Sequence, residues 1–138
     1  HLPRKRLIEI GELCKVSFKP GYFVYVGSAM KSLSKRVERH RRIRKKLHWH
    51  IDYFSGLAEF QIALPVRSSD DLECELASAI SNISEWSIPG FGCSDCSCPS
   101  HLFGFSMSPL STRKFHDLLQ YFRMDRLLEK YPSGESLA

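Results

Sequence analysis

Gly21-Tyr22-Phe23-Val24-Tyr25-Val26-Gly27-Ser28 is the stretch on which the fold turns. Tyr22 to Val26 is aromatic or β-branched throughout, which suits a pleated, buried surface and predicts a central strand. Lys19-Pro20-Gly21 before it is a turn signal: proline presets one backbone dihedral and glycine permits the next. Gly27-Ser28 ends the run. Upstream, residues 9–18 carry Ile10, Leu13, Val16 and Phe18 and read as a strand, so the first expectation is a hairpin of 9–18 with 22–26.

Beyond Ser28 the apolar period changes. Met30, Leu33 and Val37 recur at helical spacing and predict an amphipathic helix over 29–42. A short helix is expected around Trp49 to Phe54. Residues 57–66 alternate around Phe60, Ile62 and Leu64 and read as a third strand. Asp70 to Ile83 reads as a helix with Leu72, Leu76, Ile80 and Ile83 in one stripe. Ser87 to Ser100 is a loop rich in Gly, Ser, Pro and Cys, His101 to Ser106 a short strand, and 111–130 a helix broken near Met124. This order predicts an α+β fold, a small mixed or antiparallel sheet flanked by helices. One domain over 1–131 with a flexible tail at 132–138 fits the 138 residues.

Composition narrows the class. Hydrophobic residues make up 43% and charged residues 25%, which excludes wholesale disorder. The longest pure apolar run is Tyr22 to Val26, too short to cross a bilayer. No charged-then-apolar leader opens the sequence. Of the five cysteines, three crowd into 93–98; an odd, clustered set argues for a reducing cytoplasmic setting over a secreted disulfide scaffold.

Twenty basic residues against fifteen acidic leave a formal charge of +5. The excess concentrates in Lys35, Arg36, Arg39, Arg41, Arg42, Arg44, Lys45 and Lys46, with one acid, Glu38, among them. Guanidinium forks suit phosphate oxygens, so this run is a candidate nucleic-acid contact; a solvated helix face is the alternative. Arg36 follows Leu33 by three and precedes His40 by four, which sets both along one edge of the buried stripe. Tyr25 enters the same corner through Gly27-Ser28. A phenol, a guanidinium and an imidazole gathered there suit phosphodiester chemistry. The plainer alternative makes Tyr25 a core aromatic and Arg36 a surface cation with a packed stem.

Tyr25-Val26-Gly27-Ser28-Ala29, followed by Leu33, Arg36 and His40, resembles the second half of the GIY-YIG nuclease signature. The likeness extends to a mostly archaeal branch of that superfamily through His48-Trp49-His50-Ile51-Asp52-Tyr53, Glu73-Cys74-Glu75-Leu76 and Phe91-Gly92-Cys93-Ser94-Asp95-Cys96-Ser97-Cys98-Pro99-Ser100-His101-Leu102-Phe103, covering roughly residues 10–105. The resemblance implies metal-dependent hydrolysis of nucleic acid, DNA foremost. Tyr25, Arg36 and His40 would be catalytic and Glu73, with Glu75 second, would hold Mg²⁺ or Mn²⁺. The alternative is a non-catalytic nucleic-acid-binding or adaptor domain on the same scaffold. Glu73 has a structural reading too: with Asp70 as N-cap it would close a capping box. The first family motif, a Gly-x-Tyr strand, has no counterpart in the sequence, so the sheet is expected to lack its first strand.

Cys93, Cys96, Cys98 and His101 form a candidate zinc site, three thiolates and an imidazole. His48 and His50 are further candidate ligands. Close packing of small side chains and a disulfide are the alternatives.

Overall fold

The computed structural model describes residues 1–29, 33–42, 45–94 and 96–131. Arg44, Met30, Asp95 and the expected tail at 132–138 lie outside the described residues.

The chain is α+β. Strands β1 (Arg6–Glu9) and β2 (Lys15–Phe18) form an antiparallel hairpin, Arg6 opposite Phe18 and Glu9 opposite Lys15. Residues 9–18 are therefore not one strand. Gly11–Leu13 makes a tight turn in their midst, with Cys14 at φ 59° closing it. Strand β3 (Tyr22–Tyr25) is neither central nor paired back on β2 as expected; it is half-buried and lies at the edge of its sheet. It joins β5 (Leu102–Phe105), Tyr25 opposite Leu102, and β5 in turn pairs with β4 (Trp86–Ser87), giving an antiparallel sheet of order β3-β5-β4.

The helices are α1 (Leu33–Arg41), α2 (His50–Ser55), α3 (Glu73–Ile83), α4 (Arg113–Gln120) and α5 (Arg126–Lys130). A π-helical turn over Tyr121–Asp125 separates α4 from α5, at the break expected near Met124. Helix α3 starts at Glu73 with Leu72 as its N-cap, so the Asp70 capping box does not form.

Alternation along the sheet builds two cores. Phe23, Tyr25 and Leu102 pack on one face with Ile8, Ile10 and Phe18 of the hairpin, Ile51 and Phe54 of α2, and Phe91. Tyr22, Val24, Val26, Phe103 and Phe105 pack on the other with Ala77 and Ile80 of α3 and Phe115 and Leu119 of α4. Side chains two apart on a strand share a face, so the apolar stretch 22–26 serves both layers at once. Every residue of β5 is buried, as expected of a central strand covered on both sides.

The strand expected over 57–66 does not form, and residues 59–68 have no regular secondary structure. Alternation makes one face apolar, but a strand also needs a ladder partner. Among the described residues the only backbone pairing here is at one end, where the N-terminal amine of His1 donates to Glu59 O at 2.8 Å and Glu59 N donates to His1 O at 2.8 Å. Leu64 and Val66 still pack on the α3 and α4 core, whereas Phe60 and Ile62 are exposed. Beside this segment the outer edge of β3 is bridged at Gly21 by Leu2. Among the described residues no Gly-x-Tyr strand lies there.

Phe91 is fully buried and its ring lies edge-on to Phe18 and Phe54 at 6.4 and 6.5 Å and meets Tyr25 and His50 at 6.2 and 5.6 Å. It ties the cysteine loop to the hairpin, β3 and α2. Replacing Phe91 by Ala should cost about 3–5 kcal/mol, the usual cost of emptying a phenylalanine site. Chemical denaturation would read this directly; an unchanged midpoint would mean that the loop is not held by this ring.

Candidate functional site: a cleft flanked by a cysteine cluster

Between β3, α1, α3 and the 58–68 segment lies a cleft of about 560 Å³ whose lining includes Tyr25, Arg36, His40 and Glu73. Tyr25 is on the strand facing the cysteine loop. Gly27 is required beside it, since a Cβ there would fall 2.9 Å from the phenol ring. Arg36 and His40 project from α1, and Glu73 is the first residue of α3.

The charges in this corner act on one another. Burial pushes the Tyr25 phenol up to about 12; the Arg36 guanidinium pulls the other way and the Glu73 carboxylate adds to the rise. At neutral pH Tyr25 is therefore a hydrogen-bond donor, not a phenolate. Burial, then Arg36 and Lys45, push His40 down to about 4, so its imidazole is neutral at pH 7. Its Nδ1 is buried and has no hydrogen-bond partner among the described residues. Its ring meets Tyr25 at 6.0 Å between centroids.

Helix α1 is set in place by Asp52, whose side chain is fully buried. Asp52 accepts from Arg39 Nη1 and Nη2 at 2.6 and 2.9 Å. It also accepts from the backbone N–H of His48 and of Trp49, each at 2.8 Å, which caps α2. These contacts outweigh the cost of burial and hold the Asp52 carboxyl down at about 2. Lys45 is buried as well, 3% exposed in its side chain; its Nζ donates to Arg39 O, His40 O and Ser55 Oγ and closes the end of α1. Arg39 and Lys45, read from the sequence as nucleic-acid contacts, are thus committed inside the protein. Lys35, Arg41, Arg42 and Lys46 remain exposed. Trp49 was missed as a site residue; Arg36 and Arg39 both stack on its ring, at 4.1 and 4.3 Å.

The thiol cluster differs from the expected set. The ligand atoms of Cys74, Cys96, Cys98 and His101 all lie within 4.8 Å of one another, a group that could hold a metal ion. Cys93 is not in it; its thiol donates to Phe91 O. Cys74, on α3, takes its place. His50 is not a ligand either: its Nδ1 accepts the Gly92 N–H at 2.8 Å. All five cysteines are free thiols, so the disulfide alternative is not realised. Three sulfurs and one nitrogen suit zinc in type and number. The Cys96 Sγ to His101 Nε2 distance is 3.4 Å, against about 3.6 Å for sulfur and nitrogen on a tetrahedral zinc.

The cluster and the cleft touch. Gly92, at φ +72°, lies between them; a Cβ there would fall 3.1 Å from the His101 Cβ and 3.3 Å from the Tyr25 ring. His101 Nδ1 approaches Glu73 Oε1 at 2.8 Å, off the line that a hydrogen bond needs.

What this arrangement defines is a small α+β domain whose basic and acidic cleft residues border a Cys/His cluster. The family model described as a domain of unknown function, DUF123, matches residues 1–124, and the chain belongs to that family. No curated protein and no solved structure matches it. No helix among the described residues is long and apolar enough to cross a membrane.

The low pKa of His40 has a stability consequence. The unfolded chain takes up a proton near the ordinary value of 6.5, the folded one only near 4, so the folded state is favoured above pH 6.5 and loses that advantage as the pH falls toward 4. Urea melts at pH 7 and pH 5 should show wild type losing more stability than His40→Gln. Equal losses would place His40 in an ordinary, solvated environment.

Proposed function

We propose that this chain is a metal-dependent nuclease of the GIY-YIG type, hydrolysing phosphodiester bonds in nucleic acid, DNA foremost. The observation that carries the reading is the meeting of Tyr25, Arg36, His40 and Glu73 at one cleft. They come from a strand, a helix edge and a second helix start.

Arg36, held against Trp49, neutralises the scissile phosphate as charge builds on its oxygens. Tyr25 donates its phenolic proton and orients the attacking water or a phosphate oxygen. His40, neutral at pH 7 with a free lone pair, accepts the proton that the water loses. Glu73 suits Mg²⁺ or Mn²⁺, which is bound through one or two carboxylates and keeps several waters; such an ion supplies Lewis-acid stabilisation of the phosphate. Lys35, Arg41, Arg42 and Lys46 contact the backbone without reading sequence. The Cys74, Cys96, Cys98 and His101 cluster is a separate zinc site with a structural role, pinning the cysteine loop to α3.

A non-catalytic nucleic-acid-binding domain is the second reading. Two observations favour it: the contact between Glu73 and His101, and the low pKa of His40, which leaves its imidazole a weak base. Incubation of labelled branched and single-stranded DNA with Mg²⁺ or Mn²⁺ separates the two readings. Cleavage that falls about 10²-fold or more in Arg36→Ala, with binding retained, is expected. Binding without cleavage under either metal selects the second reading.

Both readings require salt-sensitive binding. On duplex DNA, log affinity should fall with log salt by about 0.9 for each phosphate contact. Reversing Arg41, Arg42 and Lys46 to Glu should flatten that slope and weaken all sequences alike. An unchanged slope in the triple variant would leave the run as a solvated face.

A further inference from the structure

We propose that Glu73 is the outer-shell partner of a zinc ion bound by Cys74, Cys96, Cys98 and His101, and that this ion sets the orientation of the Glu73 carboxylate at the cleft. The inference rests on the zinc reading of the cluster and not on nuclease activity.

His101 has two ring nitrogens with two different neighbours. Nε2 faces the sulfurs, 3.4 Å from Cys96 Sγ, and Nδ1 faces Glu73 Oε1 at 2.8 Å. A metal on Nε2 leaves the ring proton on Nδ1, and a histidine ligand almost always donates that proton to a carboxylate, carbonyl or water. The His101 side chain is 1% exposed, and among the described residues Nδ1 has no aligned hydrogen-bond partner. Glu73 is therefore the group placed to accept, after a small rotation into line. The carboxylate in turn fixes the tautomer that presents Nε2 to the metal.

Geometry makes the coupling short. Cys74 and Glu73 are consecutive on the first turn of α3. The ion would thus hold this turn twice, once through the Cys74 sulfur and once through His101 and Glu73. The four ligand atoms are spread up to 4.8 Å, about 1 Å more than sulfur–sulfur separations on a tetrahedral zinc. Closing on an ion draws the start of α3 toward the cysteine loop and β5. One oxygen of Glu73 is then engaged by His101, leaving the other for the cleft that Tyr25 and Arg36 line.

The test measures zinc on the full chain, with no nucleic acid present. Zinc affinity is read by competition against a chromophoric chelator, and Co²⁺ substitution reports thiolate ligation in the visible spectrum. Wild type should bind one zinc. Glu73→Ala should bind it about 10–100-fold more weakly, the usual effect of losing an outer-shell partner. Glu73→Gln, which still accepts the hydrogen bond, should fall between, and Glu75→Ala should match wild type. The Co²⁺ spectrum should keep its thiolate bands in every variant, because the four ligands are intact. Equal affinities in wild type and Glu73→Ala would overturn the outer-shell role while leaving the zinc site standing. Absence of zinc from the wild type would overturn both.

Discussion

A carboxylate without solvent must find its hydrogen bonds inside the protein, and Asp52 meets that constraint by organising everything around it. Its two oxygens accept from the Arg39 guanidinium on one side and from the His48 and Trp49 amides on the other. The first pair fastens α1 and the second starts α2. With α1 fastened, Arg36 lies on Trp49 and His40 is turned toward Tyr25. Losing Asp52 would leave Arg39 without its ion-pair partner and free the helix that carries two of the cleft residues. Breaking a buried pair by removing one partner is far more costly than the pair is worth in net stability, so its value is in geometry.

The second organising element is the cysteine loop. Phe91 anchors it in the aromatic core, Gly92 lets it pass between Tyr25 and His101, and His50 receives its backbone N–H. The result is that a Cys/His cluster and an acidic and basic cleft share a wall. Soft sulfur donors and a hard carboxylate stand side by side there. Glu73 is the hinge between them, in contact with the cluster through His101 and lining the cleft with Arg36 and Tyr25.

Much of this was legible in the chain. The aromatic stretch 22–26 and the helical stripes of α1, α3 and α4 are local patterns, and each produced the type of element expected of it, although β3 lies at the edge of its sheet and not at its centre. Other expectations met long-range physics that no local pattern carries. Residues 57–66 alternate like a strand, yet among the described residues they find no ladder partner beyond Glu59. Residues 9–18 read as one strand until Gly11–Leu13 folded them into a hairpin. The basic run offered Arg39 and Lys45 among its candidate nucleic-acid contacts, but both were drawn inward, by the buried Asp52 and by the open carbonyls at the end of α1.

The sequence by itself determined which residue types are available and where: an aromatic strand, a basic helix, a carboxylate at the start of α3, and a loop dense in thiols. These follow from composition and spacing over a few residues, where one turn or one pleat is enough to set the outcome. Tertiary structure alone decided which of them meet. It chose Cys74 over Cys93 for the cluster, because a helix docked on the sheet brings a distant sulfur nearer than the loop's own neighbour. It set Glu73 against His101, and it spent Arg39 on Asp52. Ligand sets and buried ion pairs are fixed by distances across the fold, and these depend on packing between elements far apart in the chain.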